Sequence, residues 1–300
     1  MKPQLLEKVI RDAAAMGVRE IIPSTMGEPL LYPYFDTILD LCKVLNLSLN
    51  LTTNGTFPAP ESHQNVEYWA ERIVPIGSDV KISWNGSNDK TQSHIMPGSS
   101  LTSHIENAKR FIAIRDKLSE QNYCSVTMQV TFMKSNLELI PDMLALAIEL
   151  GFDRLKGHQL WAHFTQIEHE NLRNNILFAE RWNQIAQYCH KQVAEHNRSA
   201  KRQFRLDNFF ELDLNNLEDI APGGECPFLG KELWVAPNGR LNVCCAPDKE
   251  RQSLGYFGNV QNTSLQKLVS QQEYIALTNN YHERALCQSC TMRRPIESHS

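Results

Sequence analysis

The residues in this sequence with the most chemistry in them are thiols. Of eight cysteines, Cys226, Cys244, Cys245, Cys287 and Cys290 fall in the last quarter of the 300-residue chain, whereas Cys42, Cys124 and Cys189 are scattered. Cys287 and Cys290 form a Cys-x-x-Cys pair, a turn that presents two sulfurs to one metal centre. Twelve residues separate Cys226 from Gly239, and four more separate Gly239 from Cys244. The stretch from Leu233 to Val243 reads as a β-hairpin turning at Asn238-Gly239, which brings Cys244 back towards Cys226. Cys226, Cys244, Cys287 and Cys290 are therefore the expected metal ligands. Cys245 is expected to point away, because neighbouring strand residues face opposite sides. Spacing alone leaves a four-cysteine zinc site and an iron–sulfur cluster both open. Unliganded thiols are disfavoured, since a Cys-x-x-Cys in a reduced protein more often binds metal or does redox chemistry. Cys42, Cys124 and Cys189 read as core residues, Cys189 on the apolar stripe Trp182, Ile185, Cys189, Val193.

The elements that must position these groups follow from periodicity. Leu5, Leu6, Val9, Ile10, Ala13 and Met16 recur at helical spacing before Gly17, giving an amphipathic helix over 4–16. A strand at 18–24 follows, and the alternation continues: helix 34–46, strand 47–52, helix 66–75, strand 79–85, helix 101–118, strand 123–133, helix 136–150, strand 152–162, helix 170–195. Such alternation implies parallel strands joined by right-handed crossovers. The first three strands run into Thr25-Met26-Gly27, Thr53-Asn54-Gly55 and Asn85-Gly86. Ligands of parallel α/β folds bind at such strand ends, although Asn-Gly also simply makes tight turns. On the last strand, period two groups Gln159, Trp161 and His163 against Lys156, His158 and Leu160, one set facing the interior. The sequence opens on a helix, so a preceding first strand is expected to be missing. Residues 198–225 are polar and irregular and read as a bridge. The expected organisation is a barrel-like domain over 1–197, a linker over 198–225 and a Cys-rich domain over 226–300.

Bulk properties exclude some classes. A net charge of −4 and pI of about 6.2 give no basic field for nucleic acid. No apolar run approaches the ~20 residues of a membrane span. The first residues lack a secretory signal, so a cytoplasmic, reducing location is expected.

Taken together, Thr25-Met26-Gly27-Glu28-Pro29, Thr52-Thr53-Asn54-Gly55, Ser83-Trp84-Asn85-Gly86 and the terminal cysteines resemble the radical S-adenosylmethionine (SAM) enzymes that carry a SPASM or twitch-type extension. The resemblance implies an α/β fold, an incomplete parallel (β/α)6-type partial barrel with a small C-terminal Cys-rich α+β domain. It implies that Met26, Gly27 and Glu28 meet the SAM amino group, and that Asn54, Ser83 and Asn85 lie near its methionine or ribose portion. It implies one auxiliary 4Fe–4S cluster rather than zinc on Cys226, Cys244, Cys287 and Cys290. Phe257-Gly258-Asn259-Val260 and Leu265 to Val269 resemble the linker and helix between that domain's cysteine pairs. Family activity is generation of a 5′-deoxyadenosyl radical, here to modify a peptide or other substrate, with a flavodoxin or ferredoxin as electron donor. The sequence departs from the family at Met26, where a glycine is usual, and at Asn85, where an aspartate is common. It also contains no Cys-x-x-x-Cys-x-x-Cys, the motif whose cluster binds and cleaves SAM. Absent strand and absent motif are expected to be one deletion, from a truncated gene or a start placed too late, leaving SAM binding weak. The competing reading is a non-catalytic module binding a 4Fe–4S cluster or zinc.

Overall fold

The computed structural model describes residues 1–23, 27–58, 66–162, 164–217, 224–290 and 292–293. Met26 and His163, both singled out above, lie outside them. The chain forms two compact units, Glu20–Leu217 and Met1–Arg19 with Glu218–Ser300.

The larger unit is the α/β partial-barrel fold expected. Strands β1 (Glu20–Ile21), β2 (Ser48–Thr53), β3 (Gly77–Ser83), β4 (Ser125–Phe132), β5 (Arg154–Gln159) and β6 (Arg205–Asp207) form one sheet in that order, every pair parallel. Helices Phe35–Leu45, Val66–Ile73, Asp89–Ile95, Leu101–Leu118, Ile140–Leu150 and Ile176–Asn197 make the crossovers. Stops are local: Asn46 takes a left-handed conformation (φ 53°) after the first of these helices, and Gly151 (φ 82°) does so after the fifth.

The strands are two-faced. Leu49, Leu51, Val80, Ile82, Val126, Met128, Val130, Phe132 and Leu155 are all buried on one face. The Phe132 ring lies so close over Gly157 that a Cβ there would come within 1.7 Å of it. The alternate residues are polar: Asn50 and Thr52, then Asp79, Lys81 and Ser83, then Thr127, Gln129 and Thr131, then Arg154, Lys156 and His158, then Asp207. Register carries rows of them across the sheet, Lys81 beside Thr127 beside Arg154, and Ser83 beside Gln129 beside Lys156 beside Asp207. A parallel sheet covered by helices on both faces reads as continuous apolar runs. Alternation in this one gives an apolar face and a polar face, and on the polar face Asp79 and Thr127 are themselves buried.

The sixth strand was not expected, because three residues carry no readable periodicity. Residues 198–217 are part of this unit rather than a linker: Phe204, Phe209 and Leu212 are buried, and Phe209 packs against Phe132 and Trp182.

The smaller unit joins the N-terminal helix (Pro3–Ala15) to the Cys-rich segment, whereas the sequence reading assigned that helix to the barrel. Ala13 shares a core with Leu241, Val243, Phe257, Val260, Leu265 and Leu268, and Leu5, Val9 and Met16 pack on it. Asp12 accepts from the Leu265 N–H (3.3 Å) and Lys8 donates to the Thr263 carbonyl (3.3 Å). An apolar stripe announces that a helix face is buried, not what buries it. Strands β7 (Trp234–Val235) and β8 (Leu241–Asn242) are antiparallel, forming the expected hairpin. Gly239 turns it with φ 84°, and a Cβ there would sit 2.5 Å from Asn259 Oδ1.

Candidate functional site

Five half-buried cysteines occupy the smaller unit, in line with their positions in sequence. Cys226 precedes the hairpin and Cys244 follows β8. Cys287 lies in the short helix Ala285–Gln288, and the turn after it is closed by Cys290 N–H donating to the Cys287 carbonyl (3.3 Å). Backbone N–H groups point at three of the four expected ligand sulfurs: Leu229 at Cys226 Sγ (3.3 Å), Ala246 at Cys244 Sγ (3.4 Å) and Met292 at Cys290 Sγ (3.4 Å). Such donors stabilise thiolate over thiol and tune a bound cluster. The Tyr281 hydroxyl accepts from the Cys226 N–H (2.9 Å), and Arg293 donates to the Gly224 carbonyl (2.7 Å).

The sulfurs feel one another. The Cys287 thiol is pushed up to about 11 by burial and then by Cys244, Cys226 and Cys290; burial likewise raises Cys290, with Cys244 and Cys226 adding to it. Cys244 is drawn down to about 6, chiefly because the Cys245 thiol donates a hydrogen bond to it. The expectation that Cys245 points away from Cys244 rests on strand alternation. β8 ends at Asn242, and beyond a strand the rule of opposite faces no longer applies. Cys42, Cys124 and Cys189 are fully buried, and burial raises each thiol to about 12, as suits core residues.

In the larger unit, the second set of expected residues gathers at the carboxyl ends of β1 to β3. Gly27 has φ 83°, and Glu28 follows it. The Glu28 carboxylate accepts from Thr53 Oγ1 (2.8 Å), the Asn54 N–H (2.5 Å) and the Leu30 N–H (3.1 Å), clamping the end of β2. Asn54 Oδ1 accepts from the Thr56 N–H (2.9 Å) and hydroxyl (2.7 Å), the tight-turn role weighed above. Ser83 ends β3 on the polar face. Asn85 is buried, its side-chain oxygen accepting from the Thr131 N–H (2.9 Å), so it ties β3 to β4.

Sequence reasoning missed a charged network on the polar face. Arg154 donates to Asp79 (2.5 Å), Asp207 (3.0 Å) and Thr127 Oγ1 (2.6 Å), and Thr127 donates to Asp79 (2.7 Å). Lys81 pairs with Asp79 (3.2 Å) and donates to Asn50, while Glu20 accepts from Asn50 (3.1 Å) and Ser78 (2.5 Å). Period-two alternation in Asp79, Lys81, Ser83 was the available signal.

Comparison with known proteins bears on both units, a family model matching the Cys-rich segment and solved structures sharing the fold. Residues 226–291 match SPASM, an iron–sulfur cluster-binding domain. The fold extends over 97% of the chain to SuiB of Streptococcus suis, with a TM-score of 0.66 at 18% identity. It extends equally to anSMEcpe with bound AdoMet, with a TM-score of 0.62 at 13% identity, covering 76% of that chain. A curated relative, the tungsten-containing aldehyde ferredoxin oxidoreductase cofactor-modifying protein of Pyrococcus furiosus, is 24% identical over 156 residues, 52% of this chain. The chain spans 65% of SuiB and 42% of the Pyrococcus protein. Residues 226–291 thus match the SPASM domain, and the chain shares its fold with SuiB and anSMEcpe. No helix among the described residues is long and apolar enough to cross a membrane.

Proposed function

We propose that this chain supplies the substrate-binding sheet and auxiliary-cluster domain of a radical SAM enzyme that modifies a peptide. The observation that carries the reading is the cysteine system within the SPASM match, with backbone N–H groups aimed at the sulfurs of Cys226, Cys244 and Cys290. These three and Cys287 would hold one auxiliary 4Fe–4S cluster, which supplies one-electron chemistry when bound. Among the described residues, no three His, Cys, Asp or Glu side chains are grouped to hold a single metal ion. Tetrahedral zinc, with Zn–S bonds of about 2.3 Å, needs sulfurs within about 4 Å of each other. The match to SPASM, an iron–sulfur cluster-binding domain, supports iron–sulfur over zinc. Glu28, Asn54, Ser83 and Asn85, with Met26 and Gly27, would border SAM. A peptide substrate is supported by SuiB solved with precursor peptide SuiA and anSMEcpe solved with the Cp18Cys peptide. A flavodoxin or ferredoxin as electron donor and a cytoplasmic location complete the proposal.

The sequence contains no Cys-x-x-x-Cys-x-x-Cys, so SAM cleavage would require thiolates from outside these 300 residues. Anaerobically purified protein should contain about four irons per chain. Reduced with dithionite, it should release no 5′-deoxyadenosine from SAM. The same chain expressed behind a segment bearing the motif should release it. Zinc in place of iron, or multiple-turnover 5′-deoxyadenosine from the 300-residue chain, would refute the assignment. Selection of displayed random 12-residue peptides on the immobilised protein tests the peptide part, and failure to enrich any sequence would count against it. One observation favours the second reading, a non-catalytic module: Glu28, Asn54 and Asn85 already spend side-chain oxygens on the fold itself. Absence of saturable SAM binding by the motif-bearing protein would decide for it.

A further inference from the structure

We infer that His104 is a positioning residue for SAM, acting through Asn54; this rests on the SAM assignment proposed above. The turn that follows β2 is held at every backbone polar group. The Asn54 N–H is accepted by Glu28 (2.5 Å), the Gly55 N–H by Thr53 Oγ1 (3.2 Å) and the Thr56 N–H by Asn54 Oδ1 (2.9 Å). Helix Leu101–Leu118 meets the three carbonyls with two side chains of one face, His104 and Asn107. His104 Nε2 lies 2.6 Å from the Asn54 carbonyl, and Asn107 Nδ2 donates to the Gly55 (2.9 Å) and Thr56 (3.4 Å) carbonyls. A carbonyl only accepts, so this short contact places a proton on Nε2; Nδ1 meets the Ser100 carbonyl at the longer distance of 3.2 Å. The imidazole is 2% exposed and stands edge-on to the buried Trp84 ring, with centroids 5.5 Å apart. Gly55 is left-handed (φ 77°), and a Cβ there would come 3.1 Å from the imidazole.

What this framework holds in place is an amide. Asn54 Oδ1 accepts from the Thr56 N–H and hydroxyl, and because a backbone N–H only donates, the amide orientation is fixed. Its Nδ2 therefore carries two protons on a half-buried side chain, and among the described residues no acceptor meets them. Glu28 and Asn54 commit their oxygens to the turn, whereas the nitrogen of Asn54 is left to donate. SAM offers matching acceptors in its carboxylate and ribose hydroxyls. Ordering the turn in advance lowers what binding costs, so loosening it should appear as lost SAM affinity.

The test titrates the 15N-labelled full chain with SAM by NMR, the Asn54 NH2 pair being the one missing in Asn54→Asp. That variant keeps an oxygen for Thr56 and loses the donor. SAM should shift the NH2 pair saturably. Followed at the Gly55 amide, Asn54→Asp and His104→Phe should each raise Kd by about tenfold, the loss of one hydrogen bond. His104→Gln, whose amide nitrogen can take the place of Nε2, should return to within about threefold of wild type. The double variant of Asn54→Asp with His104→Phe should bind within about twofold of Asn54→Asp alone, because the two residues act as one unit. Additive losses of about a hundredfold in the double variant, or a lowered Tm in His104→Phe with Kd unchanged, would overturn the inference. A SAM-dependent shift at Gly55 with the NH2 pair unmoved would also overturn it and leave the SAM assignment standing. No shift at either by about 20 mM SAM would overturn it as well. The SAM assignment itself falls only if the motif-bearing protein shows no saturable binding.

Discussion

Replacing Glu28 separates two roles that one carboxylate is asked to fill: contact with SAM, implied by resemblance, and a clamp on β2, seen in the hydrogen bonds. Glu28→Ala removes three acceptor contacts, to Asn54 N–H at 2.5 Å, Thr53 Oγ1 at 2.8 Å and Leu30 N–H at 3.1 Å. Hydrogen bonds to charged groups contribute about 1.5–3 kcal/mol each. Glu28 is half-buried, so water replaces part of what is lost, and the sum reduces to about 2–3 kcal/mol. For a unit of 150–250 residues that is a fall in Tm of about 4–12 °C. Glu28→Gln should come within about 1 kcal/mol of the alanine variant, because its NH2 group would face an N–H donor where the second oxygen now accepts. Thermal melts followed by near-ultraviolet circular dichroism report the sheet unit, which holds Trp69, Trp84 and Trp182. The reasoning fails if Glu28→Ala melts within about 1 °C of wild type while SAM binding by the motif-bearing protein is lost. That outcome would make the carboxylate a ligand contact and not a clamp.

Two further perturbations follow from close contacts and two from the cysteines. Gly157→Ala drives a methyl into the Phe132 ring and should cost about 3 kcal/mol or more in chemical denaturation, with partial recovery in the double variant with Phe132→Leu. Gly239→Ala combines a left-handed backbone with a 2.5 Å approach to Asn259 Oδ1, and should destabilise the smaller unit by about 1–3 kcal/mol, read by hydrogen exchange over residues 234–260; Asn259→Ala should relieve only the contact. Cys287→Ala or Cys290→Ala should abolish iron binding and loosen the smaller unit, because metal binding and folding are coupled. Cys245→Ala should leave iron content largely intact, and a loss matching that of Cys244→Ala would make Cys245 a ligand.

Much of the architecture is legible without coordinates. Leu47, Leu49 and Leu51 alternating with polar residues define a strand, and their spacing to the next helical stripe defines a parallel crossover, since both signals arise from local backbone geometry. Asn238-Gly239 announces the hairpin for the same reason: left-handed φ at Gly239 is a property of that residue. Cysteine spacing likewise selects the metal-binding end of the chain. Tertiary structure alone decided the partners. The stripe Leu5, Val9, Ala13 is equally apolar whichever unit it packs on, so only the folded chain assigns it to the Cys-rich core. Arg205–Asp207 is too short to carry a period, and it becomes a strand because β5 offers it an edge and Phe209 an anchor. Period two pairs Lys156 with His158 but says nothing about which side faces the core. That is settled by the Phe132 ring over Gly157, which commits the neighbouring face to the core and leaves Lys156 among charges already paired.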